Sequence, residues 1–275
     1  MAKSNLLIRF LTALIAGPAI LLLIYFGQPW YFAVFVAVAT LIGALELFAM
    51  THADDRPSQI ILSLITVGVV GILYQWGTSS KVLLTLLLLL PFVSMGLVLV
   101  RLGEMRTAAL RVAAGAFGPL YLGGGIATLA LLRRDGGGDG PSFVLLTFML
   151  SWFSDTGAYF AGRFLGKHKL YEAVSPKKTI EGAVGGLAAA VLGGGVAAHF
   201  LYLRSLPLVD GVVLSVVVGA LGQAGDLGES LLKRSVGVKD SGGIVPGHGG
   251  ILDRVDALLV TGTLTYLYLI WVRGV

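Results

Sequence analysis

The sequence contains no cysteine among its 275 residues. Disulfides, thiolate nucleophiles and cysteine-ligated metals are therefore excluded. Charged residues are also scarce, at 13% of the chain, whereas hydrophobic residues make up 56% and the mean hydropathy is +0.88. No polar stretch exceeds about 25 residues, which is too short to form a soluble domain. The composition therefore predicts an integral membrane protein.

The hydrophobic residues fall in runs that are long enough to cross a bilayer. A helix of about 20 apolar residues spans the hydrocarbon core. These runs are apolar on all sides, unlike the one-sided helices of a soluble protein. The sequence predicts an all-α polytopic fold with about nine transmembrane helices, at residues 6–26, 31–50, 59–76, 82–100, 108–132, 142–162, 179–203, 208–225 and 251–272.

The distribution of basic residues predicts the orientation of the chain. A net charge of +5 and a pI near 9.5 are compatible with nucleic-acid binding. However, nine alternating spans with a cytoplasmic N-terminus place most of the 20 lysines and arginines in the cytoplasm. This bias follows the positive-inside rule, so we expect a cytoplasmic N-terminus and no nucleic-acid partner. The few basic residues on the other side are Lys81, Arg133, Arg134, Arg204 and Arg273.

The two halves of the chain differ in chemistry. Residues 1–132 carry few polar groups and are predicted to be a scaffold of transmembrane helices. Residues 142–275 are predicted to be the catalytic region, with cytoplasmic loops at 163–178 and 226–250. Many of the 39 glycines cluster in this second half. Small residues let transmembrane helices approach closely, and the alternative is that they leave room for a lipid.

Asp155 lies well inside an apolar segment, with Tyr159 and Gly162 on the same helical face. A carboxylate buried in a membrane needs a metal, a cation or a proton as its partner. The position therefore favours a functional role for Asp155, and the alternative is a structural hydrogen bond between helices.

The segment S-P-K-K-T-I-E-G at 175–182 has the features of a phosphate site. Pro176 stiffens the approach to the next helix, and Thr179 can cap that helix. Free backbone N–H groups at a helix start attract anions, and Lys177 and Lys178 add positive charge beside them. The alternative is that the two lysines only satisfy the positive-inside rule.

Charged residues are densest between Asp226 and Asp256. In a helix, Asp226, Glu229 and Lys233 would form one stripe, and Asp253 and Asp256 would share another face. Two such carboxylate faces would form a hard oxygen site that suits Mg²⁺. The alternative is a network of salt bridges with Lys233 and Arg254.

His248 lies between glycines in the turn that precedes Asp253. This histidine could bind phosphate, act as an acid or base, or only hydrogen-bond the backbone.

Three segments together resemble the signature of the phosphatidate cytidylyltransferases, also called CDP-diacylglycerol synthases. They are D-T-G-A-Y-x-x-G-R at 155–163, S-P-K-K-T-x-E-G at 175–182, and S-x-x-K-R-x4-K-D-x-G-x3-P-x-H-G-G-x2-D-R-x-D at 230–256. Val245 departs from the family pattern, which more often has Ile, Leu or Phe at this position, but the change is conservative. The N-terminal half resembles the family only in its hydrophobic spans.

The resemblance implies that CTP and phosphatidate react to give CDP-diacylglycerol and pyrophosphate in phospholipid biosynthesis. Both reactants are anions, so charge neutralisation and alignment should dominate catalysis. The expected cofactor is Mg²⁺, with room for a second metal ion. The expected partners are CTP, phosphatidate in the bilayer and a second copy of the chain in a homodimer. The expected location is the inner, cytoplasmic membrane, with the active site facing the cytoplasm.

The resemblance also assigns roles to individual residues. The expected metal ligands are Asp226 and Asp253, with support from Asp155 and Asp256. The expected catalytic residues are Asp226, Asp253, Asp256, His248 and Lys233. The expected substrate-binding residues are Ser175, Lys177, Lys178, Arg234, Lys239 and Arg254.

Three other classes of protein fit the sequence less well. A CTP-using polyprenol or phytol kinase would need a base for the lipid hydroxyl, and the long match at 230–256 argues against it. The D-G-x2-A-R…G-x3-D-x3-D spacing of the CDP-alcohol phosphotransferases is absent. A transporter would place its charges near the bilayer midplane, whereas here they cluster in loops.

Overall fold

The computed structural model describes residues 2–77, 79–242 and 249–274, with side chains from Leu14 onward. The described chain is built almost entirely of helices, which confirms the predicted all-α membrane fold. The helices are α1 (Ala2–Phe26), α2 (Pro29–Thr51), α3 (Arg56–Trp76), α4 (Ser80–Val100), α5 (Ala108–Gly118), α6 (Gly125–Asp135), α7 (Gly140–Leu165), α8 (Ile180–Ala189), α9 (Ala197–Leu201), α10 (Leu208–Ser235) and α11 (Leu252–Trp271).

Six helical stretches in the described residues are long and apolar enough to cross a membrane. Two of them continue through π-helical turns, Pro119–Gly124 between α5 and α6 and Ala190–Val196 between α8 and α9. The predicted spans 6–26, 142–162 and 251–272 correspond to α1, α7 and α11, which do not belong to the six. The count of nine and the cytoplasmic N-terminus therefore stay predictions. The six stretches are Pro29–Thr51, Arg56–Trp76, Ser80–Val100, Met105–Asp135, Ile180–Leu201 and Leu208–Ser235.

The chain forms two compact units. The first unit comprises Met1–Leu131 and Val236–Val255, and the second comprises Leu132–Ser235 and Asp256–Val275. The segment before α11, which the sequence assigned to the catalytic region, thus belongs to the same unit as the N-terminal helices. The division of labour between a scaffold and a catalytic region stays a prediction.

The first unit contains a partly buried polar network at the ends of α2 and α4. The carboxylate of Asp55 pairs with Arg101 Nε at 2.7 Å and with Arg111 Nη2 at 3.0 Å. Burial opposes ionisation of Asp55, but hydrogen bonds from Ser58 and Arg101 outweigh it and lower the pKa of this carboxyl group. Arg111 also donates to the Leu102 carbonyl at 2.5 Å. The network joins two interhelical loops.

In the second unit, α7 and α8 pack with their backbones in close approach. A Cβ atom on Gly157 would lie 2.6 Å from the Gly185 carbonyl oxygen, and one on Gly186 would lie 2.7 Å from the Ser154 carbonyl oxygen. Only glycine fits such positions, so these glycines serve tight packing, as the sequence favoured.

A short hairpin joins α7 to α8 where the sequence predicted a loop. Its strands are β1 (Lys169–Tyr171) and β2 (Ser175–Thr179), which pair in antiparallel orientation. Thr179 ends β2 and caps α8, because its Oγ1 accepts a hydrogen bond from Gly182 N at 3.1 Å. The predicted cap is therefore confirmed.

Candidate active site

A cavity of about 460 Å³ lies in the second unit, among α7, the hairpin, α8 and α10. It receives side chains from the first two signature segments and from the start of the charged stripe on α10. The cavity is lined by Ser154, Asp155, Ala158, Tyr159, Gly162, Arg163, Leu170, Lys177, Lys178, Thr179, Gly182, Ala183, Gln223 and Asp226.

One face of α7 supplies Asp155, Tyr159 and Gly162 to the cavity wall, as the helical spacing predicted. The Asp155 side chain is exposed at the surface of the chain and lines the cavity. The small neighbours Ala158 and Gly162 leave this face open. The carboxylate therefore faces space where a ligand can bind.

Arg163 is a cavity residue that was not among the expected site residues. It lies one turn after Tyr159 on α7, and its Nη1 donates a hydrogen bond to the Tyr159 hydroxyl at 2.8 Å. This bond limits the motion of a long cationic side chain at the cavity wall. Its place at the end of the D-T-G-A-Y-x-x-G-R segment was the available sequence signal.

An ion pair joins the hairpin to α10. Lys178 Nζ lies 2.5 Å from Asp226 Oδ2, and the two side chains are 28% and 31% exposed. The salt-bridge partners expected for Asp226 from the sequence were Lys233 and Arg254. The pairing with Lys178 was not predicted. Gln223, one turn before Asp226, donates from Nε2 to the Ala183 carbonyl at 3.0 Å and ties α10 to α8. These contacts fix the position of the Asp226 carboxylate.

The hairpin is held against the start of α8 by Glu181. Its carboxylate accepts hydrogen bonds from Lys167 N at 3.1 Å and His168 N at 3.2 Å, and it contacts His168 Nδ1 at 2.6 Å. Lys177 projects into the cavity from β2, whereas Ser175, at the start of that strand, is not among the lining residues. Glu181 thus orders the segment that presents the two lysines.

Helix α10 extends to Ser235, so that the first part of the loop predicted at 226–250 is helical. Asp226, Glu229 and Lys233, predicted to form one stripe, all lie on this helix. Lys233 Nζ pairs with Glu229 Oε1 at 3.2 Å, and the fully buried Glu229 carboxyl group contacts that of Asp256 on α11. Two adjacent carboxyl groups are stabilised by a shared proton or by a positive charge nearby, and Lys233 places such a charge beside Glu229. Glu229 was not among the expected site residues.

The remaining expected residues lie elsewhere. Asp253 belongs to the first unit, where its carboxylate accepts hydrogen bonds from Ser241 N and Gly250 N, each at 3.0 Å. Lys239 and Arg254 belong to the same unit and are exposed. Arg234 is exposed near the end of α10. His248 lies outside the described residues.

The donor set of the cavity suits a magnesium ion. No group of three or more His, Asp and Glu side chains is assembled as a metal cage in the part of the chain that the structure describes. Mg²⁺ in enzymes of phosphate chemistry takes only one or two carboxylates and completes its shell with water and substrate phosphates. Asp155 and Asp226, both on the cavity wall, meet that requirement.

The chain is similar to known proteins along nearly its whole length. A model of the cytidylyltransferase family matches residues 7–272. The phosphatidate cytidylyltransferase of Brucella suis biovar 1 (strain 1330) is 36% identical over 271 residues, covering 96% of this chain and 93% of that protein. The phosphatidate cytidylyltransferase of Staphylococcus haemolyticus (strain JCSC1435) is 45% identical over 132 residues, covering 48% of this chain and 50% of that protein. The similarity thus extends over both units.

Proposed function

Because the chain belongs to the cytidylyltransferase family, and is therefore a membrane enzyme of phospholipid biosynthesis, we propose that it transfers the cytidylyl group of CTP to phosphatidate. An oxygen of the lipid phosphate forms a bond to the α-phosphorus of CTP. The bond between that phosphorus and the oxygen bridging to the β-phosphorus breaks. The products are CDP-diacylglycerol and pyrophosphate, and the names of the two relatives support this choice of substrates.

The observation that carries the proposal is the clustering of cations and carboxylates in one cavity of ligand size. Arg163, Lys177 and Lys178 line the wall together with Asp155 and Asp226. Two anionic substrates repel each other, and fixed cations offset that repulsion most effectively in a site shielded from water. A volume of about 460 Å³ lies in the range of small-molecule sites.

The surface of α7 beside the cavity suits a lipid substrate. Phe160 and Phe164 are 53% and 73% exposed, and their rings stack with centroids 6.3 Å apart. On α7 as a predicted membrane span, these exposed rings would contact acyl chains. Arg163, on the same helix, is then placed to bind the phosphate of a lipid whose tails stay in the bilayer.

The chemistry requires no nucleophile from the protein, because the lipid phosphate is ionised near neutral pH. The residues of the cavity then bind, orient and neutralise. Lys177 and Lys178, held by the hairpin, neutralise phosphate oxygens while pyrophosphate departs.

Asp155 and Asp226 are the cavity residues that would hold Mg²⁺. When bound, the ion supplies charge neutralisation at the phosphates and orients the leaving group. Asp253 and Asp256 remain predicted contributors to the metal site, and the second metal ion remains a prediction as well.

Further parts of the proposal concern location and assembly. The bacterial relatives and the apolar helices support a multi-pass protein of the inner membrane. The bias of lysine and arginine supports an active site that faces the cytoplasm. A homodimer is proposed from the sequence resemblance.

The proposal is tested by following the two ends of CTP separately. Purified protein in vesicles that contain both phosphatidate and diacylglycerol is given CTP labelled at the α-phosphorus or at the γ-phosphorus. Label from the α position should enter the lipid, and label from the γ position should appear in pyrophosphate. Transfer of the γ label to diacylglycerol would instead identify a lipid kinase, and no transfer to lipid at all would refute the proposal.

A further inference from the structure

Helix α2 carries one charged residue, Glu46, in a stretch that is otherwise apolar or uncharged. Its side chain is 5% exposed. A buried charge in a membrane segment is costly unless polar groups surround it. The partners of Glu46 therefore indicate why the residue is there.

Among the described residues, the hydrogen-bond partners of Glu46 come from the segment just before α11 and from the start of that helix. Ile251 N donates to Glu46 Oε1 at 3.1 Å, and Leu252 N donates to Oε2 at 2.9 Å. Ser241 Oγ also donates to Oε2 at 3.1 Å. All these residues belong to the first unit.

These contacts satisfy backbone N–H groups at the start of α11. The first N–H groups of a helix have no partner within the helix, and the helix dipole makes that end attractive to a negative charge. Glu46 satisfies two such N–H groups with a carboxylate from a different helix. The contact thereby fixes where α11 begins.

Two glycines shape the segment around the Glu46 carboxylate. A Cβ atom on Gly242 would lie 2.6 Å from Glu46 Oε1, and a Cβ atom on Gly250 would overlap Glu46 Oε2 and Ser241 Oγ. Neither position accepts a larger residue unless Glu46 moves. The backbone therefore wraps closely around this single side chain.

Asp253 occupies the next turn of the same arrangement. Its carboxylate accepts hydrogen bonds from Ser241 N and Gly250 N. Ser241 also binds Glu46, and Gly250 directly precedes Ile251, which binds Glu46 as well. Ser241 thus contacts Glu46 through its hydroxyl group and Asp253 through its backbone. A shift of the segment at Glu46 would move Asp253 with it.

We infer that Glu46 is a positioning residue for the transfer reaction. It holds Ser241 and the first turn of α11, and thereby keeps the Asp253 carboxylate in the orientation that its predicted role in metal binding requires. The inference rests on the proposed function and on the predicted role of Asp253. Glu46 does not touch a substrate in this scheme. It acts only through the backbone that carries Asp253.

The test replaces Glu46 with glutamine, which keeps the volume but exchanges one acceptor oxygen for an NH₂ donor. That donor would face groups that themselves donate. A displacement of about 1 Å at a reacting centre can reduce the rate about 100-fold. We expect Glu46→Gln to lower kcat between about 10-fold and 100-fold, at a temperature where the variant stays folded, with little change in the KM for phosphatidate.

Thr40→Val is the matched control. Thr40 is also fully buried on α2, but its hydroxyl group donates only to the Val36 carbonyl of its own helix at 2.8 Å. This variant should keep a kcat close to that of the unmodified protein. A comparable loss of kcat in both variants would overturn the inference, because any polar change in α2 would then have the same effect.

A double-mutant cycle with Ser241→Ala tests whether Glu46 acts on the rate through its contact with Ser241. This substitution removes the hydroxyl donor but keeps the backbone N–H that binds Asp253. The double variant should be scarcely less active than Glu46→Gln alone, because both changes break the same contact. Independent, multiplying losses would overturn the inference.

A spin label provides a readout that does not depend on activity. The absence of native cysteine allows a single label at Asp240→Cys, an exposed position beside Ser241. Glu46→Gln should increase the mobility of this label, whereas Thr40→Val should not. An immobile label in Glu46→Gln would refute the inference. Lack of transfer by the unmodified protein would refute the proposed function, and the label would still decide whether Glu46 holds the segment.

Discussion

Lys178 offers the sharpest test of the cavity, because sequence and structure give it two different roles. It was expected either to bind phosphate or only to satisfy the positive-inside rule. In the structure it lines the cavity and pairs with Asp226 at 2.5 Å. Replacing it with methionine removes the charge and keeps most of the length of the side chain.

The expected loss can be estimated from the position of the ammonium group. Two unit charges 4 Å apart interact by about 4 kcal/mol at an effective dielectric constant of 20. Loss of one fixed donor to a transition-state anion costs about 3 to 4 kcal/mol in measured cases. We therefore expect Lys178→Met to lower kcat/KM by about 100-fold to 1,000-fold. Stability should change by less than about 1 kcal/mol, because both members of the ion pair are partly exposed.

The assay measures the initial rate of label transfer from CTP to phosphatidate in vesicles, with thermal unfolding of the same samples as a second measurement. Lys167→Met is the matched control, since Lys167 lies on the same connection between α7 and α8 but is not among the residues that line the cavity. It should retain nearly full activity. Retention of more than about a tenth of kcat/KM in Lys178→Met, a loss below about 1.4 kcal/mol, would refute the phosphate-binding role.

Three further predictions follow from the same account. Asp226→Asn and Asp253→Asn should each abolish measurable transfer, because a neutral amide cannot offset the charge of a metal–triphosphate complex, and more than about a tenth of activity in either would exclude that residue as a metal ligand. Single cysteines at Gly138 and Asp240 should react with impermeant maleimide from opposite sides of the membrane, and labelling of both from one side would contradict the nine-span topology. Burial and the positive charge of Arg111 lower the pKa of His52 from 6.5 to about 4. Between these pH values the unfolded chain binds a proton at His52 and the folded chain does not, so the free energy of unfolding should fall by up to about 3 kcal/mol as the pH falls from 6.5 to 4. His52→Gln should flatten this pH dependence in denaturation experiments.

Local patterns predicted much of the second unit. The spacing of Asp155, Tyr159 and Gly162 placed them on one helical face, and all three line the cavity. The cap of α8 by Thr179 was predicted because a threonine directly preceded a run of helical pattern, and its side chain makes that bond. Such features depend only on residues a few positions apart.

The hairpin between α7 and α8 could not be read from the sequence. Its strands contain lysines and a proline, which seldom occur in strands. The hairpin is held by Glu181, which reaches back to the backbone of Lys167 and His168. Contacts of this kind depend on the fold of the connection rather than on local preference.

Glu46 and Lys178 show the same limit at longer range. The single acidic residue of α2 could have been noticed as a costly charge in an apolar span. Its partner Ser241 lies 195 positions away, so no periodicity reveals the contact. The pairing of Lys178 with Asp226 likewise joins two segments that the sequence treated as separate sites.

The most direct test of the central claim is the stoichiometry of the reaction catalysed by the purified protein. Vesicles of phosphatidylcholine with and without phosphatidate are supplied with CTP and Mg²⁺, and CTP, pyrophosphate and CDP-diacylglycerol are quantified over time. The account predicts one CDP-diacylglycerol and one pyrophosphate for each CTP consumed, only when phosphatidate is present. Consumption of CTP without formation of the lipid nucleotide, or release of CDP in place of pyrophosphate, would contradict it.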